Sequence, residues 1–310
     1  MIMDKTSVSL GARSTRNHMK IIVGIDLLNA YPPALHLVAK LGLKDPDLLL
    51  VQTSPTVDSV LPPFPIDGAT VDLVQTTFRE AGEAALRDAQ AEAKKLDLPA
   101  RTLFCVGPPA EIIDQCVDEE HADLVAVRTT HRGAWQSEFM GSVTRTVMLC
   151  GHVSVLVAKQ EPRSEKGLDV VFATDGSDFN DRCLDKFLSL QPSGIETVSV
   201  VSAWGLASNV ERLLRHSLHH SPDVNAALKS AAEAAVEMAA SRFEAAGYKT
   251  TRQAQEGLPD RVLHDAMINS GADLLVVGAH GKSWIERMLI GSTSLHQVID
   301  EPYNVLLIRP

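Results

Sequence analysis

The sequence is poor in three features that would tie it to a particular environment: paired cysteines, long apolar runs and surplus positive charge. Its four cysteines form no CxxC pair, and no apolar stretch reaches the ~20 residues of a membrane span. With 29 Lys and Arg against 39 Asp and Glu, the chain offers no broad basic surface for nucleic acid or anionic membranes. We therefore expect a protein of the reducing cytoplasm that binds neither nucleic acid nor membrane.

The motifs of several common catalysts are also missing. The chain has no GxxxxGK[ST], which argues against a P-loop ATPase, and no GxSxG nucleophile elbow. We interpret residues 1–19 as a frayed N-terminal tail rather than a transit peptide. The 310 residues, 45% of them hydrophobic, are enough for two domains of roughly 150 residues each.

The sequence contains an internal repeat. Identical residues recur at an offset of 150, and a further pair, Asp26 and Asp175, recurs at an offset of 149. Five of the pairs at offset 150 are Gly107 and Gly257, Pro109 and Pro259, Asp123 and Asp273, Gly141 and Gly291, and Val155 and Val305. A constant offset over this distance indicates two copies of one domain. We place the copies at residues 20–159 and 168–310, joined by a linker at 160–167.

Each copy alternates apolar, strand-like runs with helical patterns. The strand candidates are 20–26, 47–53, 101–107, 122–128 and 152–158 in the first copy, and 169–175, 196–204, 248–255, 272–278 and 303–309 in the second. Helices are predicted at 74–96, 110–121, 225–247 and 259–271, and before the last strand, where Leu295, Val298 and Ile299 would be buried. Five strands with intervening helices indicate one parallel, doubly wound α/β sheet per copy.

The segment 278–293, GAHGKSWIERMLIGST, follows the fourth strand of the second copy. Gly278 ends the strand, and Gly281 can bring the backbone close to a ligand. Residues 291–293 open the last helix, where free amides, hydroxyls and the helix dipole favour an anion such as phosphate. Asp175 lies at the same sheet edge and can accept from a ribose or base. Each feature alone is typical of a turn or helix cap, but their joint spacing favours a ligand site.

These features resemble the universal stress protein family. The resemblance is carried by the Gly-x2-Gly-x9-Gly-Ser spacing, a first strand ending in Asp-Gly-Ser at 175–177, the ADLLVVGAHG run and the terminal VLLIR strand. It covers nearly the whole chain as a tandem pair. It implies two flavodoxin-like (adenine nucleotide alpha hydrolase-like) domains and a cytoplasmic stress-response module that binds ATP through its second domain. Mg²⁺ stays open as a second cofactor.

The resemblance also assigns roles to individual residues of the second copy. Asp175 would meet the adenosine moiety, and the backbone of Ala203 would meet adenine. Ribose and phosphates would be lined by Val277, Gly278, His280 and Gly281, and the phosphates held by Gly291, Ser292, Thr293 and Ser294. An alternative is a slow ATP hydrolase, for which only His280 and Asp175 are candidates and neither is compelling. We therefore expect no catalytic residue and weak ATPase activity at most.

The first copy departs from this pattern. Arg128 and His131 stand where the second copy has Gly278 and Gly281, so ATP binding there is doubtful. In one interpretation the first site has decayed, and Arg128 is solvated or paired with a carboxylate. In the other, Arg128, His131 and Arg132 surround a different anionic ligand. Both interpretations stay open at this point.

Three further expectations concern partners and loops. His216, His219 and His220 share one face if helical, but no fourth ligand completes a metal site, so we predict none. A sensor of another anionic or acyl molecule would use the first copy or the long loops at 54–72 and 205–224. The last strands of the two copies would pair as an internal pseudo-dimer, and a homodimer remains open.

Overall fold

The computed structural model describes residues 18–28, 30–61, 66–129, 152–163, 166–205, 222–279 and 290–310. The first half contains the strands β1 (Met19–Ile25), β2 (Pro46–Ser54), β3 (Ala100–Val106), β4 (Leu124–Arg128) and β5 (Ser154–Ala158), and the helices α1 (Pro32–Leu41), α2 (Val57–Val60), α3 (Gly68–Lys95) and α4 (Pro109–Glu120). The second half contains β6 (Leu168–Ala173), β7 (Ile195–Trp204), β8 (Lys249–Glu256), β9 (Leu274–Gly278) and β10 (Asn304–Ile308), with α5 (Asp178–Ser189), α6 (Pro222–Ala245), α7 (Pro259–Ser270) and α8 (Ser292–Ile299).

These strands form one sheet in the order β3-β2-β1-β4-β5-β10-β9-β6-β7-β8. Within each half the pairing is parallel and the first strand lies beside the fourth, which confirms the predicted doubly wound fold. At the centre β5 and β10 pair antiparallel, with Leu156 opposite Leu306, as we expected for the last strands. Because of this junction, the carboxyl ends of the strands in the two halves point to opposite edges of the sheet.

Helices cover both faces of the sheet. One face packs against α1, α3, α5 and α6, and the other against α4, α7 and α8. The central strands between these layers are continuous apolar runs, as in a parallel sheet covered on both sides, whereas the outer strand β8 is polar and partly exposed. Buried helix residues on the first face include Leu35, Leu86, Phe187 and Phe243. Those on the second face include Ile113, Val262 and Val298.

Two basic side chains at equivalent positions of the repeat link the halves, and each donates hydrogen bonds to the other half. Lys159 follows β5 and donates its Nζ hydrogens to the carbonyl oxygens of Gln297, at 3.2 Å, and Glu301, where α8 ends. Arg309 occupies the matching position after β10 and donates from Nη1 to the carbonyl oxygen of Val153 at 3.0 Å. Lys159 and Arg309 are both buried. Each half therefore supplies the carbonyl oxygens that accept hydrogen bonds from the buried basic side chain of the other half.

A third contact joins the halves where the end of α1 meets the turn after α5. Gly194, in the turn before β7, donates its amide hydrogen to the carbonyl oxygen of Leu41 at the end of α1, at 3.1 Å. Ser193 donates its hydroxyl hydrogen to the carbonyl oxygen of Gly42 at 2.7 Å. A Cβ on Gly194 would lie 1.8 Å from the carbonyl oxygen of Lys40, so this approach requires glycine.

Some predicted boundaries are wrong. Helix α3 begins at Gly68, six residues before its predicted start, because Asp67 caps it by accepting the amide hydrogen of Thr70 at 2.9 Å. Part of the predicted loop at 54–72 is therefore helical, and so is the end of the loop at 205–224. The sequence patterns did not locate α1 or α5.

In the described part of the chain, no helix combines the length and apolar character needed to cross a membrane.

Candidate ligand site at the carboxyl ends of β6 and β9

The strand register brings the predicted residues of the second half to one edge of the sheet. Phe172 pairs with Val276, so Asp175 and Gly278 leave the adjacent strands β6 and β9 at nearly the same level. Ala203 is the penultimate residue of β7, on the other side of β6. This is the point at which the strand order reverses, where ligands bind in open α/β sheets.

The turn after β6 is organised around Asp175. Its Oδ1 accepts hydrogen bonds from the amide of Ser177, at 3.0 Å, and from the hydroxyl of Ser177, at 2.6 Å. The same hydroxyl caps α5 by accepting from the amide of Asn180 at 3.2 Å. Gly176 between them has φ +67°, and a Cβ there would lie 2.9 Å from Cβ of Ala235. The sequence Asp-Gly-Ser therefore fixes the carboxylate at the sheet edge.

The start of α8 is tied directly to the end of β9. Ser294 donates its hydroxyl hydrogen to the carbonyl oxygen of Gly278, at 2.6 Å, and Gly291 donates its amide hydrogen to the carbonyl oxygen of Ala279, also at 2.6 Å. The two ends of the glycine motif thus meet in space. Between them, residues 280–289, including His280 and Gly281, lie outside the described residues.

The first turn of α8 has the features of an anion site. Its N-cap is Gly291, and no side chain forms a capping hydrogen bond there. The amides of the first turn, Ser292 to Ser294, have no intrahelical partner in any α-helix, and the positive end of the helix dipole lies beside them. Because the Ser294 hydroxyl is occupied by Gly278, this serine can offer only its amide to a ligand. Ser292 and Thr293 keep more exposed side chains.

The equivalent edge of the first half is different. Asp26 follows β1 and accepts the amide hydrogen of Ala30 at 2.8 Å, while Leu28, in place of Ser177, is 86% exposed. Arg128 ends β4, and its Nε and Nη1 atoms are buried with no hydrogen-bond partner among the described residues. Both interpretations of the first site therefore stay predictions. His131 and Arg132, the two other cations of the second interpretation, lie outside the described residues.

One residue at the second site was not singled out from the sequence. Trp204 ends β7, next to Ala203, and its indole Nε1 is buried without an acceptor among the described residues. A buried indole N–H normally finds a partner, so this donor is a candidate ligand contact. Its position as the last residue of a strand beside the reversal point was the available signal.

The metal candidates are not among the residues that the structure shows. His216, His219 and His220 lie outside the described ranges. Within those ranges, no group of three or more His, Cys, Asp or Glu side chains is arranged to hold a metal ion.

Comparisons with known proteins agree on one family. The model of the universal stress protein family matches the chain twice, over residues 17–159 and 169–309. Universal stress protein MJ0531 of Methanocaldococcus jannaschii is 26% identical over 152 residues, which cover 48% of this chain and 85% of that protein. A universal stress protein structure from Archaeoglobus fulgidus covers 94% of this chain and 96% of its own, with a TM-score of 0.66 and 16% identity. A further solved universal stress protein, in complex with cAMP, is 24% identical over 46% of this chain and 95% of its own, with a TM-score of 0.30.

Proposed function

Because the chain belongs to the universal stress protein family, we propose that its second half binds ATP and that the protein acts as a nucleotide-dependent regulatory module. The observation that carries this proposal is the start of α8, which no side chain caps and which is held against the end of β9 beside the Asp175 turn. A helix start of this kind is a ready anion site, and its place at the reversal of strand order suits a nucleotide.

The residues at this edge fit the chemistry of ATP. The amides of Ser292, Thr293 and Ser294 would donate to phosphate oxygens, and Asp175 would accept from the ribose hydroxyls. The backbone of Ala203 and the buried indole N–H of Trp204 would meet the base. The lining of the ribose and phosphates would include backbone atoms of Val277, Gly278 and Gly291. We propose His280 and Gly281 for the same lining from the sequence motif alone.

Mg²⁺ would enter this site with the nucleotide. The ion prefers oxygen ligands and commonly binds through substrate phosphates, one or two carboxylates and retained waters. We propose no dedicated protein cage for it. The proposed regulatory role rests on a site that would hold a nucleotide by its phosphates at a helix start.

Isothermal titration with ATP tests the proposal through a matched pair of variants. We expect Asp175→Ala to weaken ATP binding by about tenfold, the effect of losing one charge-assisted hydrogen bond and the fixed turn. Asp26→Ala removes the equivalent carboxylate from the first half and should leave the ATP affinity unchanged. Equal losses in both variants would show that the second half is not the ATP site, and the absence of ATP binding by the wild type would refute the proposal.

A further inference from the structure

The first half places a cation at its own reversal point. Arg128 is the last residue of β4, and β4 lies between β1 and β5. Two of its guanidinium nitrogens, Nε and Nη1, are buried and have no hydrogen-bond partner among the described residues. The residue as a whole remains partly exposed, and Nη2 is not one of these buried nitrogens.

This arrangement is unusual within the chain. Arg101 forms ion pairs with Asp47 and Glu120, and Arg252 forms ion pairs with Glu237 and Glu244. The side chains of both arginines are more exposed to water than the Nε and Nη1 atoms of Arg128. Arg128 forms no ion pair with any carboxylate of the described residues. Proteins rarely leave buried guanidinium N–H groups without an acceptor, because water can no longer solvate the charge.

The nearby carboxylate does not fill this role. Asp26 lies at the end of the adjacent strand β1, but its Oδ1 accepts the amide hydrogen of Ala30 at 2.8 Å. In the second half the position equivalent to Arg128 is Gly278, which has no side chain. Arg128 therefore places a guanidinium group at a strand end where the second half, with Gly278, has no side chain.

We propose that the first half binds a small oxyanion, a carboxylate or a phosphate monoester, through the guanidinium group of Arg128. The guanidinium group offers two forks to the oxygens of such a group, Nε with Nη2 and Nη1 with Nη2, so an anion on either fork gives one of the two buried nitrogens an acceptor. A long side chain at this position obstructs the close backbone approach that a triphosphate needs, so the ligand is a smaller anion than ATP. This site is independent of the nucleotide proposed for the second half.

The side-chain Nε–Hε resonance of Arg128 in the full chain tests the proposal directly. The signal is identified by its loss in Arg128→Lys, and it is followed while inorganic phosphate or sodium acetate is added at constant ionic strength with sodium chloride. We expect a saturable shift with at least one anion, and the anion that causes it distinguishes a phosphate from a carboxylate source. No shift with either anion would overturn the proposal, because the wild-type protein is observed and a folding defect cannot explain the result.

A second measurement uses the thermal unfolding midpoint. The stabilising anion should raise the midpoint of the wild type more than that of Arg128→Gln, since a ligand that binds only the folded state stabilises it. Arg101→Gln is the matched control, because it removes an arginine with two carboxylate partners from the same half. Anion-induced shifts of equal size in the wild type and Arg128→Gln would contradict the proposal, and phosphate binding in the second half would not mask this difference.

Discussion

Ser294 donates its hydroxyl hydrogen to the carbonyl oxygen of Gly278 across 2.6 Å, although sixteen residues separate them in the sequence. The bond is buried and joins the first turn of α8 to the last residue of β9. It therefore sets the distance between the proposed phosphate site and the strand end.

Ser294→Ala should lower the free energy of unfolding by about 1 kcal/mol, because a buried hydrogen bond is lost. Ser292→Ala is the matched control in the same turn, since the Ser292 side chain is exposed and should contribute less than about 0.5 kcal/mol. Urea unfolding monitored by circular dichroism measures both changes. If the two variants lose the same stability, the Ser294 bond is not what holds α8 in place.

Gly194→Ala should lower the free energy of unfolding by about 3 kcal/mol, because its Cβ would overlap the carbonyl oxygen of Lys40. The overlap lies where the end of α1 meets the turn before β7, so the variant should loosen the contact between the halves. Gly68→Ala is the control: nothing lies within 4 Å of a Cβ there, and alanine favours a helix. Chemical denaturation should find Gly68→Ala neutral or stabilising, and a mild effect of Gly194→Ala would contradict the close contact.

His36 should make stability depend on pH. It lies between Glu161, at 2.7 Å from Nδ1, and Glu92, at 3.2 Å from Nε2. Partial burial lowers the pKa of His36, but the hydrogen bonds to Glu161 and Glu92 outweigh it and raise the pKa above its usual value. Because the folded pKa exceeds the unfolded one, the stabilisation is complete below about pH 6.5 and is lost as the pH rises through the folded pKa.

The comparison of His36→Gln with the wild type at low and high pH checks this sign. The variant should be less stable than the wild type at pH 5.5 and nearly equal to it at pH 8.5. His152→Gln is the control, because His152 is exposed and lies 3.6 Å from its nearest carboxylate, on Asp118. A larger effect of His36→Gln at high pH than at low pH would contradict the assignment.

The fold could be predicted from the sequence because the repeat carries most of the information. The central strands of both halves are continuous apolar runs, and the sequence shows this pattern twice at a fixed offset. The helices α1 and α5 were not predicted from the sequence. Helix α1 is short and begins with two prolines, and it is stabilised by contacts across the halves, such as that between Leu41 and Gly194, that no local periodicity shows.

The candidate site could be predicted in part. Asp175, Gly278 and the start of α8 follow from motif spacing and the rule for parallel sheets. The occupied hydroxyl of Ser294 and the unpaired indole of Trp204 could not be predicted, because both depend on which groups the packed chain brings within hydrogen-bond reach. The surroundings of Arg128 could not be predicted for the same reason: its residue type is visible in the sequence, whereas its lack of a carboxylate partner among the described residues is not.

The central claim is that the second half holds ATP while the first half cannot. It is tested most directly by measuring the affinity and stoichiometry of ATP for the wild type and Gly278→Arg. This substitution copies Arg128 into the matching strand end, a place where the first half shows that the scaffold accepts arginine. Our account predicts one ATP per wild-type chain and at least about a tenfold loss of affinity in Gly278→Arg. Two ATP molecules per wild-type chain, or an unchanged affinity in the variant, would contradict it.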